Sequence, residues 1–137
     1  KYLEIKKIED EIRRCKKCSL YKTRTNPVPG EGSIEPKIFF IGEAPGVQED
    51  KTGRPFVGAA GKLLTSLIEE IGLSREDVYI TNVIKCRPPG NRDPREDEIR
   101  MCKPYLERQL MIIRPKIIVT LGRYAASVIS EYAGKSF

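Results

Sequence analysis

Four cysteines are the residues best equipped for chemistry in this chain: Cys15 and Cys18 form a C-x-x-C pair, and Cys86 and Cys102 follow at wide spacing. A pair this close can hold one metal centre from a tight loop. Cys86 is expected at the end of a strand and Cys102 on the helix beyond the next loop, so both can lie on one side of a domain. Lys16, Lys17, Lys85, Arg87 and Lys103 flank the four, and cationic neighbours favour the thiolate form that metals need. An all-cysteine set in a chain without a single histidine suits a [4Fe–4S] cluster, but a four-thiolate zinc site satisfies the same count. Buried free thiols are the plainer alternative, and disulfides fit poorly with a reducing compartment.

The elements that must position these residues are read from periodicity. Ile5, Ile8 and Ile12 recur at helical spacing, so the chain opens with a short amphipathic helix ending near Arg14. Residues 15–37 read as loop, broken by Asn26-Pro27, Pro29-Gly30 and Gly32. Ile38-Phe39-Phe40-Ile41 is an uninterrupted apolar run, the pattern of a strand buried on both faces. A Gly-rich stretch, 42–61, leads to a helical stripe of Leu63, Leu64, Leu67, Ile68 and Ile71 closed by Gly72. Residues 78–84 predict a second strand. Asp93-Pro94-Arg95-Glu96 predicts a helix start with Asp93 as N-cap and Glu96 closing a capping box. Ile99, Cys102, Leu106, Leu110 and Ile113 continue that helix, and Pro104 inside it should kink it or delay its start. Residues 117–121 predict a third strand and 124–132 a last helix, stopped by Gly134.

Alternation of this kind specifies a three-layer α/β/α domain around a central parallel sheet. Ligands in such folds bind at the carboxyl ends of the strands, where Gly42-Glu43-Ala44-Pro45-Gly46 and Asn82 both fall. The 137 residues fit one domain, and a formal charge of +6 suits a polyanionic partner such as nucleic acid, or simply a well-solvated basic enzyme. No apolar run approaches a membrane span and no signal peptide is visible, which points to a soluble prokaryotic cytoplasmic protein. The chain begins at Lys1 and stops at Lys135-Ser136-Phe137 just after a helix, where another strand would follow naturally. The expectation is therefore a single domain, residues 1–137, lacking its C-terminal strand.

The motifs now converge on a family. Gly42-Glu43-Ala44-Pro45-Gly46, Glu49-Asp50, Gly53-Arg54-Pro55-Phe56-Val57-Gly58 and Ala60-Gly61 resemble the first motif block of type-4 uracil-DNA glycosylases. Thr81-Asn82-Val83-Ile84-Lys85-Cys86-Arg87-Pro88-Pro89 resembles the second. The cysteine order and spacing are similar to that family's [4Fe–4S] ligands. The resemblance implies the uracil-DNA glycosylase fold and an enzyme that flips uracil out of DNA and hydrolyses its N-glycosidic bond. It implies Asn82 as the residue that reads the base: its amide accepts from N3–H and donates to O4 of uracil, whereas cytosine presents the opposite pattern. Phe56 would stack on the base and Glu49 would crowd out thymine's methyl group. Backbone N–H groups of Gly42, Ala44 and Gly46 would meet O2 of the departing uracil. Glu43 would position water or favour the oxocarbenium-like sugar. Another uracil glycosylase family carries Asp where Ala44 stands, which separates Glu43 from that precedent.

The family's His-Pro-Ser-like motif has no counterpart in a chain without histidine, so residues 1–137 alone are expected to be feeble or inactive. Arg54, Lys85, Arg87 and Arg92 are candidates for DNA phosphate contacts. The partners implied are uracil-containing DNA, with replication or repair proteins beyond it, for a monomer without membrane attachment. Two rivals stand beside this reading. A non-enzymatic DNA-binding module with a four-cysteine zinc centre explains the charge and thiols but not the motif combination. A phosphate-binding α/β enzyme lacks both a G-x-x-x-x-G-K-[ST] and a G-x-G-x-x-G run.

Overall fold

The apolar run at residues 38–41 becomes the middle of the sheet. In the computed structural model, which describes residues 1–134, strand β2 (Phe39–Gly42) pairs in parallel with β3 (Tyr79–Asn82) on one side and β4 (Ile118–Thr120) on the other. Side chains alternate between the two faces, as they must along a strand. Phe39, Ile41 and Tyr79 pack with α1 (Tyr2–Arg13), α4 (Glu96–Ile113) and α5 (Arg123–Ser130), while Phe40 and Ile80 pack with α3 (Ala59–Glu70). Helices on both faces of the sheet give the expected three layers. Residues 135–137, where the sequence reading ends the chain past its last helix, lie outside the described residues.

Four details depart from the sequence reading. The segment 15–37 is not all loop: β1 (Glu31–Gly32) pairs antiparallel with β3, so the sheet is mixed, in the order β1-β3-β2-β4. Two residues are too few for any periodicity, and only their partner strand defines them. A short helix, α2 (Val47–Thr52), lies inside the Gly-rich stretch.

The third departure is the start of α4, at Glu96 rather than Asp93. Glu98, not Glu96, accepts the Arg95 backbone N–H at 2.8 Å, so the capping signal is real but displaced. Finally, Pro104 neither ends α4 nor delays its start. Pro104 and Arg100 are both exposed, so the carbonyl that loses its helical partner is left to water.

Candidate active site

The carboxyl ends of β2 and β3 are in register, Gly42 beside Asn82. The ladder continues past them, Val83 N–H donating to Gly42 O at 2.9 Å and Ile84 N–H to Glu43 O at 3.0 Å. Asn82 is therefore fixed by backbone pairing, and it is buried to 2% exposure. Its Oδ1 finds no hydrogen-bond partner among the described residues. A buried acceptor left open costs about 1–3 kcal/mol and calls for an explanation; a donor on a bound ligand would supply one.

Phe56 reaches the same point from another direction. A Cβ built on Gly42 would lie 2.4 Å from Phe56 Cζ and 2.5 Å from Asn82 Oδ1. Only glycine leaves room for ring and amide to close over the strand end. Phe56 is half-buried and has a backbone φ of +51°, a left-handed conformation uncommon for an aromatic residue. The sequence places these two residues 26 positions apart; the fold brings them to one glycine.

The residues around this point are braced by Glu49. Its Oε1 accepts from Gly46 N–H at 3.0 Å, and its Oε2 from Val57 and Gly58 N–H at 2.9 and 2.8 Å. Burial raises the Glu49 carboxyl, but the backbone donors, led by Gly58 and Val57, outweigh it and hold the pKa below the ordinary 4.5. One carboxylate thus ties the turn at 42–46 to the loop carrying Phe56. Glu43 is half-buried, its Oε2 accepting the Tyr124 N–H at the start of α5 at 3.1 Å. Glu43, Ala44 and Gly46 border an open hollow together with Pro88, Arg92 and Asp93.

The four basic residues fare differently. Lys85 cannot meet a phosphate, because it is 1% exposed and its Nζ donates to Asn82 O at 2.8 Å, to Gln109 Oε1 at 2.8 Å and to Thr81 Oγ1. Its place between the predicted strand and the polar loop at 87–91 gave no sign that the side chain turns inward. Burial pulls its ammonium down to about 7. Arg54 is bidentate to Glu31 at 2.8 and 2.9 Å, and Arg92 bidentate to Glu98 at 2.8 Å for both bonds. Arg87 donates to Asn91 Oδ1 at 2.7 Å.

All four cysteines border one hollow, together with Ile84 and Lys85 of the segment that follows Asn82. Among the described residues no three potential ligands gather tightly enough for a single ion; the thiols ring a space instead. Of the flanking cations only Lys17 and Lys85 border it. Side chains that touch a sulfur come from elsewhere: Arg24, which carried no mark in the sequence, donates its Nη1 to Cys86 Sγ at 3.1 Å, and Tyr105 of α4 hydrogen-bonds Cys15. The Lys85 backbone N–H donates to Cys102 Sγ at 3.2 Å. As thiols, Cys18, Cys86 and Cys102 are pushed up by burial, Cys102 to about 12. Flanking lysines therefore do not by themselves make these groups thiolates, as the sequence suggested; a bound cationic centre would.

Comparison with known proteins bears on the same residues. The family model for the uracil DNA glycosylase superfamily matches residues 29–136. A type-4 uracil-DNA glycosylase of Pyrobaculum aerophilum is 47% identical over 97% of this chain and 68% of its own length. This chain belongs to the type-4 uracil-DNA glycosylase family. The type-4 enzyme of Sulfurisphaera tokodaii is 62% identical over 97% of the chain and 61% of its own length. A type-5 uracil-DNA glycosylase of Thermus thermophilus is 36% identical over 79% and 56%. The chain spans 61% of the length of the Sulfurisphaera enzyme and 56% of that of the type-4 enzyme of Saccharolobus solfataricus, which is 66% identical over 88% of the chain. A zinc-centred scaffold finds no support in these glycosylase relatives. No helix among the described residues is long and apolar enough to cross a membrane.

Supporting residues that the sequence did not reveal are Arg24, Tyr124, Arg75 and Gln109. Only Gln109 carried a signal: it interrupts the apolar stripe of α4 and is nonetheless fully buried.

Proposed function

We propose that the protein carrying this chain hydrolyses the N-glycosidic bond of uracil in DNA, releasing free uracil and leaving an abasic site. One observation carries the reading: a buried Asn82 amide with an open acceptor and the Phe56 ring meet at Gly42. Uracil's N3–H supplies the missing donor to Oδ1, and its O4 accepts from Nδ2; cytosine would set acceptor against acceptor. Phe56 stacks on the flipped ring, worth about 1–3 kcal/mol in comparable systems. When the C1′–N1 bond breaks, its electron pair leaves on the uracil ring and spreads to O2. Backbone N–H groups of Glu43 and Ala44 are the donors left in the 42–46 turn for that charge, because Pro45 carries no N–H and the Gly46 N–H, expected at O2, already donates to Glu49. Water adds its oxygen to C1′ and loses a proton that ends on the departing uracil, and Glu43 orients that water or stabilises the cationic sugar. Glu49, which braces the pocket wall, crowds out a methyl group at C5.

The same proposal assigns Cys15, Cys18, Cys86 and Cys102 to a [4Fe–4S] cluster. Four thiols border one hollow with no carboxylate among its lining residues, a donor set that fits an all-thiolate centre, and the family resemblance favours the iron–sulfur cluster over zinc. The cluster would supply cross-linking rather than electrons, tying the 15–18 loop and α4 to the segment that follows Asn82. Residues 1–137 then form part of one glycosylase domain, acting as a monomer in a prokaryotic cytoplasm on uracil-containing DNA. Arg54, Arg87 and Arg92 remain for phosphates, each after exchanging its present partner.

The test is uracil release from a single-uracil oligonucleotide by the intact protein carrying this sequence, alongside its iron, sulfide and zinc content. Uracil release by a brown, iron-containing protein is expected. A zinc-loaded protein would sink the cluster, and a folded protein that releases no uracil would sink the enzyme.

A further inference from the structure

Arg75 lies in the turn between α3 and β3, and no sequence pattern marks it. Its side chain is mostly buried, and its guanidinium makes four hydrogen bonds. Nη1 donates to Phe56 O at 2.9 Å and to Thr65 Oγ1 at 3.2 Å. Nη2 donates to Pro55 O at 2.8 Å and to Glu31 Oε2 at 3.0 Å. Two consecutive carbonyls of one loop are thus gripped by one planar fork, while Glu31 on β1 anchors the fork to the sheet. Helix α3, which also supplies Thr65, presses on the same peptide: a Cβ on Gly61 would lie 2.0 Å from Phe56 O.

The consequence for Phe56 is geometric. A residue held at φ +51° will relax toward ordinary backbone conformations unless its surroundings fix it. The direction in which its ring leaves the backbone depends on the two peptide planes that flank it. Arg75 grips the carbonyls of Pro55 and Phe56, one from each of those planes. Nε of the same guanidinium is buried without a partner among the described residues, a cost the other four bonds must offset.

We propose that Arg75, locked by Glu31, is the positioning residue that holds Phe56 in its left-handed conformation so that the ring covers the base site. The inference rests on the uracil-pocket reading above. Arg75 itself touches no base; it acts through the loop. A lysine offers a point charge on a flexible stem and cannot reproduce the planar grip on both carbonyls.

The test measures the dissociation constant of free uracil with the intact protein, for the parent, Phe56→Ala, Arg75→Met, Arg75→Lys and the Phe56→Ala/Arg75→Met pair. Phe56→Ala is expected to weaken uracil about tenfold. Arg75→Met should weaken it by a similar factor in the parent but by less than about twofold in the Phe56→Ala background, the non-additivity of residues acting as one unit. Arg75→Lys keeps the charge opposite Glu31 and should lose affinity too; it is the variant to read if Arg75→Met melts below the assay temperature. Parental affinity in folded Arg75 variants, or losses that multiply, overturns the positioning role. Parental affinity in Phe56→Ala overturns instead the pocket reading beneath it.

Discussion

Asn82 stands at the end of an interior strand, paired on one side with Gly42 of β2 and followed by a segment whose amides continue the ladder. Behind it, Lys85 donates to its carbonyl, and Gln109 and Thr81 close the network onto Pro29 O at 3.0 and 2.7 Å. Every one of these groups is buried. Phe56, which faces the same glycine, has none of this. It stands in a loop, in a strained conformation, and is held from outside by Glu49 and by the Glu31–Arg75 pair, whose side chains are partly exposed. On the proposed function, one side of the base pocket is fixed by the sheet and a dry polar network, and the other by bonds whose side chains are partly exposed. The rigid side would read hydrogen bonds, where an error in angle is costly. The looser side would stack, which tolerates small displacements. A pocket that admits and releases a flipped base would need one wall that can yield, and the wall carrying Phe56 fits that need.

The comparison predicts where damage is greatest. Asn82→Asp attacks the rigid wall directly: uracil release should fall about 10³-fold and cytosine should become a substrate, measured on paired uracil and cytosine oligonucleotides. A variant that handles uracil normally and ignores cytosine would remove Asn82 from base reading. Lys85→Met comes next, leaving Asn82 O, Thr81 Oγ1 and Gln109 Oε1 short of a donor. A loss of about 3 kcal/mol in unfolding free energy is expected by chemical denaturation. A loss smaller than that of Arg75→Met would erase the distinction between the two walls.

The smallest effect belongs to Glu49→Gln, which weakens the brace between the 42–46 turn and the Phe56 loop. About 1 kcal/mol is expected at neutral pH. The sign with pH follows from a folded pKa held below 4.5. The carboxylate contributes its stability above the unfolded value and loses it as pH falls through the folded one. The parent's advantage should therefore be full at neutral pH and shrink below 4.5, with the thermal midpoints of parent and variant converging in acid. Parallel curves across that range would mean that Glu49 does not hold the loop as a carboxylate.

Much of this molecule is written locally. The runs at 38–41 and 78–84 supply β2 and β3 because short apolar-rich stretches bounded by turn residues pack into the middle of a sheet. The apolar stripe of α4 puts Cys102, Leu106, Leu110 and Ile113 in the core as its spacing requires. The motif blocks carried Asn82, Phe56 and the cysteines to notice. Other features carried no local mark. Strand β1 exists only because β3 accepts it. Lys85 looks like a surface cation until the chain folds its Nζ onto its own strand end. Arg24 and Arg75 are two among many basic residues until they meet a sulfur and a pair of carbonyls.

Side-chain type and periodicity are properties of a few neighbouring residues, so the sequence alone determined the layers, the order of the three parallel strands and the longer helices, and the residue types able to bind a base or a metal. Whether a polar group ends in water or against another buried group depends on contacts between segments tens of residues apart. Only the tertiary structure decided that Asn82 and Phe56 share Gly42, that the four thiols ring one hollow, and that a lysine and an arginine serve as struts. Hydrogen bonding is directional and short in range, and that partnership is set by the packed chain.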